Sequence, residues 1–120
     1  MSKPWYTWIC KLSRHFDLPC QMQEITQGRS KAYMRSRLLL INRHSPLGVP
    51  AVCLHEFAHL LAERRVPGQG HWHKTAFREA LLDCLDAMQY PRHEYPWSRE
   101  YLSVRRWAHH RGYDVHHDCE

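Results

Sequence analysis

Long apolar runs are absent from this sequence of 120 residues. The two longest, residues 38–41 and 51–54, are far too short to cross a bilayer, so we expect no transmembrane helix. Lys11 and Arg14 interrupt the apolar positions of residues 1–16, and no small-residue cleavage site follows them, which argues against a signal peptide. The cytoplasm is therefore the expected location.

Paired cysteines are lacking as well. The 5 Cys residues are odd in number and never form a CxxC pair, which argues against a disulfide framework and against a cysteine-based zinc ribbon. Acidic residues are in the minority, 12 against 17 Lys and Arg, and the net charge of +5 favours polyanionic partners only mildly. With 43% hydrophobic residues, the composition is globular and the length suits a single domain over residues 1–120.

Hydrophobic spacing predicts an α+β domain in which a short mixed or antiparallel sheet packs on a central helix, with three further helices around it. The N-terminal helix covers residues 1–16, with Ser2 as its cap. Residues 21–27 and 31–42 are interpreted as two strands around a turn at residues 27–30. The remaining helices are expected over residues 50–65, 74–88 and 98–111, the last capped by Ser98 and followed by a tail over residues 113–120.

The helix predicted over residues 50–65 carries the most informative pattern. His55, Glu56 and His59 are the only polar side chains between residues 51 and 62. Burying an unsatisfied polar group costs roughly 1–3 kcal/mol, so these side chains need partners. Residues i and i+4 share a helix face, so both imidazoles can bind one ion, and Glu56 can hydrogen-bond a water on that ion. The alternative is a pair of core histidines satisfied by neighbours, with Glu56 reaching the surface.

A catalytic zinc takes three protein ligands and keeps one position open. The sequence leaves several candidates for the third ligand. We favour His73, which begins the helix of Phe77 and is reached across a glycine-containing link; His71 lies in the same link. Glu79 and Asp83 are one helical turn apart, a carboxylate spacing that is also typical of a solvated helix face.

These residues resemble those of a known family. The run His55-Glu-Phe-Ala-His59, followed by Gly70-His-Trp-His73-Lys-Thr-Ala-Phe77, is similar to the SprT-like zincin metallopeptidases, which include Spartan and small bacterial and phage proteins. In that family a histidine four residues before an aromatic follows HExxH; Lys74 stands here where a glycine is usual. The strand that ends at Asn42 is also similar, and the resemblance covers about residues 30–88.

The resemblance implies a small zincin-like fold with one zinc ion per chain, bound by His55, His59 and His73. It also implies that Glu56 is the general base and that a peptide substrate lies extended along the edge of the sheet. The expected function is a zinc-dependent peptidase that cleaves DNA-associated or regulatory proteins. A group that stabilises the oxyanion is not assigned; its candidates, each more simply a surface or loop residue, are Tyr33, Arg35, His93 and Tyr95.

The alternative function is a nucleic-acid-binding module in which the zinc is structural and no peptide is cut. A fourth protein ligand such as His71 would favour it, whereas Glu56 favours the peptidase. The helix expected over residues 98–111 is basic and carries aromatic residues, which suits contact with a nucleic-acid backbone. We favour the simpler interpretation that its aromatics pack inward and its charges are solvated; the basic positions are Arg99, Arg105, Arg106, His109, His110 and Arg111.

Overall fold

The computed structural model describes residues 4–113, which contain four α-helices and a three-stranded sheet joined by loops and short 3₁₀ turns. Ser2 and residues 114–120 of the expected tail lie outside it. The α+β class is confirmed. In chain order the elements are α1 (Pro4–Phe16), β1 (Gln21–Glu24), β2 (Lys31–Tyr33), β3 (Leu38–Ile41), α2 (Ala51–Arg65), α3 (Thr75–Ala87) and α4 (Leu102–His110).

The sheet has the order β1-β3-β2 and is mixed, since β1 runs parallel to β3 and β2 antiparallel to it. The expectation of one strand over residues 31–42 is wrong: residues 34–37 turn the chain back, and Arg37 adopts a φ of 53°. That turn is polar apart from Met34, so it lacks the alternation that would keep a strand in the sheet. β1 and β2 lie at opposite edges because the apolar β3 takes the buried centre.

α2 lies at the centre of the molecule, between α1, α3 and the strands β2 and β3. Its residues 51–62 are all buried, as the apolar sequence predicts. α1 packs one face against it through Trp5, Ile9 and Leu12, which are buried, while Trp8 and Phe16 are partly buried beside them. No helix within residues 4–113 combines the length and the apolarity needed to cross a bilayer.

The basic helix is shorter than expected. α4 begins at Leu102 rather than at Ser98, because residues 97–99 form a separate 3₁₀ turn. Trp97 anchors this turn in the core and donates its indole N–H to the Arg92 carbonyl at 2.6 Å. The backbone is extended at Glu100, with φ −78° and ψ 171°, and at Tyr101 before α4 begins. Glu100 and Tyr101 therefore project from an extended segment instead of a helix face.

Candidate metal centre

Three histidines converge beside α2. His55 and His59 lie on successive turns of that helix, and His73 comes from the segment just before α3. The Nε2 atom of His55 lies 3.3 Å from that of His59 and 3.2 Å from that of His73. One ligand nitrogen from each of the three lies within 4.8 Å of the others. These three side chains are close enough to bind one metal ion.

The distances from His55 Nε2 to the other two nitrogens fit a divalent cation. With metal–nitrogen bonds of about 2.0–2.1 Å at tetrahedral angles, two ligand nitrogens lie roughly 3.3–3.4 Å apart. The observed 3.2 and 3.3 Å agree with that separation. Neutral imidazole nitrogens that face one another as acceptors need a proton or a cation between them. The donor set therefore suits a metal ion, although imidazole alone does not select zinc over other divalent cations.

The opposite ring nitrogens of the two helical ligands are held from outside the cluster. His55 Nδ1 lies 2.7 Å from Oε2 of Glu100, and His59 Nδ1 lies 2.6 Å from the carbonyl oxygen of Gly70. A carboxylate and a carbonyl only accept hydrogen bonds, so both Nδ1 atoms donate, and the Nε2 atoms are the ring nitrogens that are directed at the cluster. The rings are thus oriented as ligands.

Glu100, which no sequence pattern indicated as a site residue, is the partner of His55 in this site. Its buried carboxylate also accepts hydrogen bonds from the Tyr95 hydroxyl at 2.5 Å and from the backbone N–H of Tyr101 at 3.2 Å. Burial raises the pKa of Glu100. The charge of His55 and the hydrogen bonds from His55, Tyr95 and the Tyr101 backbone outweigh burial and hold that pKa below its usual value. Tyr95, an oxyanion candidate from the sequence, is buried and serves this carboxylate instead.

The protonation states of His59 and His73 suit metal binding. Burial, followed by the charge on His55, lowers the pKa of His59 to about 3 and that of His73 to about 4. Burial also lowers the pKa of His55, but the charge and hydrogen bond of Glu100 outweigh it and raise that pKa. His59 and His73 are therefore neutral near pH 7, which is the form that ligates.

Glu56 lies next to the cluster and borders open space. Its residue surface is largely buried, yet it lines both cavities beside the histidines. Burial raises the pKa of Glu56 to about 7; the charge of His55 opposes this rise and that of Glu100 adds to it. A carboxyl group with a pKa near 7 can both take up and release a proton at neutral pH.

Two cavities flank the cluster. The larger, of about 410 Å³, is bounded by residues 28–30, residue 42, residues 44–47 and residues 99–101. The smaller, of about 190 Å³, lies between β2 and the histidines. Both cavities are lined by Ser30, His55, Glu56 and Tyr101, so the two cavities adjoin at these four residues.

Two aromatic rings complete the site. Phe77 is fully buried below the three histidines, with its ring centroid 4.8, 4.6 and 4.9 Å from those of His55, His59 and His73. Tyr101 stacks on His73 at 4.0 Å and is 48% exposed. One ring supports the ligands from the core, and the other covers His73 from the solvent side.

The other candidate ligands stand apart. His71 is exposed and lines the smaller cavity without joining the cluster. Asp83 forms an ion pair with Arg65 at 2.6 Å on the surface, and Glu79 is exposed on α3. Of the remaining oxyanion candidates, Tyr33 lines the smaller cavity, whereas Arg35 and His93 are exposed and line neither cavity.

Comparisons with known proteins give no relative. No protein-family model, curated protein or solved structure matches this chain. The resemblance to SprT-like zincins therefore rests on the motif residues alone.

Proposed function

We propose that this protein is a zinc-dependent peptidase of the SprT-like zincin type, acting in the cytoplasm on DNA-associated or regulatory proteins. The observation that carries the proposal is the position of Glu56 beside three convergent histidines, facing two cavities. Three protein ligands leave a coordination position for water, and a structural zinc site has no use for a neighbouring base. Glu56 therefore favours hydrolysis.

His55, His59 and His73 would hold the cation, which supplies a Lewis acid for the water and for the substrate carbonyl. Glu56 accepts a proton from the attacking water as its oxygen adds to the carbonyl carbon. The same carboxyl group then delivers the proton to the amine as the C–N bond breaks. β2 lies at an edge of the sheet and lines the smaller cavity, so an extended peptide that pairs with it would pass the cluster.

The second candidate is a nucleic-acid-binding module with a structural zinc. The net charge of +5 and the exposed basic side chains of α4, among them Arg106 and His110, favour it. Within residues 4–113, however, the metal-binding group contains three side chains, and no fourth His, Cys, Asp or Glu joins it. A closed structural site takes four protein ligands, so the geometry favours the peptidase.

The deciding experiment compares the zinc-loaded parent with Glu56→Gln on casein and on a fluorogenic peptide library. We expect both proteins to hold the same amount of zinc and the variant to lose about 10²–10⁴-fold in rate, as befits a general base. Glu79→Gln, an exposed change on α3, is the matched control and should cleave at the parent rate. Undiminished cleavage by Glu56→Gln would overturn the role of the base. An inactive parent that binds DNA in a salt-dependent manner would favour the second candidate.

A further inference from the structure

The larger cavity has a basic wall. Arg29, His44 and Arg99 line it, and the carboxylates in its lining are Glu56 and Glu100. Glu100 is buried and bound by His55, and Glu56 is largely buried beside the same ring. The three basic side chains, by contrast, belong to exposed residues at the rim. A ligand entering the cavity therefore meets positive charge first.

These basic groups are not neutralised by acidic neighbours within residues 4–113. Arg29 has no ion pair or side-chain hydrogen bond there. The guanidinium of Arg99 donates to the carbonyl oxygen of Pro46 at 3.2 Å, an uncharged acceptor that leaves its positive charge uncompensated. Both guanidinium groups can therefore attract a carboxylate.

The walls of the cavity are tied together before any ligand binds. The Asn42 side chain donates to the Gly28 carbonyl at 2.9 Å, and the Asn42 backbone N–H donates to the Ser30 hydroxyl at 2.8 Å. The bond from Arg99 to Pro46 joins the third wall to the loop of residues 42–47. Such a preformed pocket loses little entropy when it takes up a side chain.

We propose that this cavity binds an acidic side chain, Asp or Glu, of the peptide substrate next to the bond that is cut. This specificity rests on the proposed peptidase function, because the cavity shares Glu56 and His55 with the metal centre. Leu47 and Val52 give the cavity apolar lining for the methylene groups, and the basic rim takes the carboxylate. The same rim repels Lys and Arg, which adds to the selectivity.

The first test measures kcat/KM on peptides that carry Asp, Asn, Ala or Lys at each position beside a cleavage site mapped in casein. We expect about a tenfold preference for Asp over Asn at one of these positions, and poorer cleavage still with Lys. Arg29→Glu should abolish the preference for Asp and improve the Lys peptide. Lys11→Glu, an exposed change on α1 with the same change in charge, should leave the preference intact.

The second test is independent of turnover. Zinc-loaded Glu56→Gln is titrated with fluorescein-labelled Asp and Asn peptides, and we expect the Asp peptide to bind about tenfold more tightly, with the difference lost when Arg29→Glu is added. Tighter binding of the Asp peptide without cleavage by the parent would overturn the peptidase, and with it the position of the acidic side chain beside a cut bond; only a pocket that binds acidic side chains would remain.

Equal cleavage of all peptides would overturn the subsite and leave the peptidase standing. Absence of both cleavage and peptide binding would overturn both proposals. A labelled dT10 oligonucleotide provides the last arm: if it binds and Arg29→Glu removes that binding while the peptides show no preference, the cavity binds phosphate and the acidic subsite is wrong.

Discussion

The Nδ1 atom of His59 lies 2.6 Å from the carbonyl oxygen of Gly70, which joins α2 to the loop leading to α3. Four residues further along α2, the carboxylate of Glu63 accepts hydrogen bonds from the backbone N–H groups of Gly68 and Gly70, each at 2.8 Å. α2 thus carries two of the three clustered histidines and also holds the loop that brings the third, His73, to them.

Gly70→Ala should disrupt this junction. A Cβ atom at position 70 would lie 2.8 Å from the carbonyl oxygen of His59 and would overlap the Cβ atom of Glu63, so the loop must move. We expect a loss of about 1–3 kcal/mol in the free energy of unfolding, measured by urea denaturation, together with weaker zinc binding. Gly68→Ala is the control: its Cβ meets open space but its φ of 88° is strained, so it should cost stability while leaving metal affinity close to that of the parent. Parent-like zinc affinity in Gly70→Ala would contradict the role given to this contact.

Metal content should follow the histidine cluster. We expect about one zinc per chain in the parent and a loss of bound zinc in His55→Ala, His59→Ala and His73→Ala, measured by elemental analysis after gel filtration. His71→Ala should retain the metal, since this exposed side chain lies outside the cluster. A loss of zinc in His71→Ala with retention in His73→Ala would reverse the assignment of the third ligand.

Glu100→Gln should weaken metal binding without removing a ligand. The change replaces the charged hydrogen-bond acceptor of His55 Nδ1. Loss of such an acceptor behind a metal-binding histidine lowers metal affinity about 10–100-fold. Competition with a chromogenic chelator measures the effect, and Glu94→Gln, an exposed acidic neighbour, is the control. If zinc affinity stays within twofold of the parent, Glu100 serves only the packing of Tyr95.

Glu63 should give the loop a defined response to acid. The backbone N–H groups of Gly68 and Gly70 lower the pKa of Glu63 below its ordinary 4.5. A lowered pKa in the folded state means that this carboxylate stabilises the loop fully above about pH 4.5 and loses the effect as the pH falls through the lower folded value. In the metal-free protein, the NMR amide shifts of both glycines should titrate with a midpoint below 4.5, and Glu63→Gln should remove that titration. A midpoint at or above the ordinary value would show that the two hydrogen bonds do not favour the charged form.

The central helices were predictable because residues 51–62 are almost all apolar, with Pro50 before them, and because apolar residues recur at helical spacing between residues 74 and 88. The expected ranges 50–65 and 74–88 differ by one residue at most from Ala51–Arg65 and Thr75–Ala87. The sheet was less predictable, since the turn after Tyr33 has no glycine or proline to mark it and Arg37 adopts its positive φ without one. Pairing partners also depend on which strand is buried most, which is a property of the whole fold.

The helical part of the site followed from local spacing, and the rest did not. His55 and His59 are neighbours by helix geometry alone, whereas the choice of His73 over His71 depends on how the loop folds back. Glu100 lies 45 residues from His55 in sequence, within a segment whose basic character suggested a continuous solvated helix. The extended backbone at this residue, which turns its carboxylate inward, has no clear sequence signal.

His73 lies just before α3, whereas His55 and His59 lie on α2, so a cation bound by all three would link these two segments of the chain. An ion that binds only the folded chain stabilises it by mass action, by about 2.7 kcal/mol at a hundredfold excess over the dissociation constant. That is a large share of the stability of a domain this small. The abundance of the protein in a cell would then depend on the available metal concentration, because metal-free chains would unfold more often and would be degraded sooner.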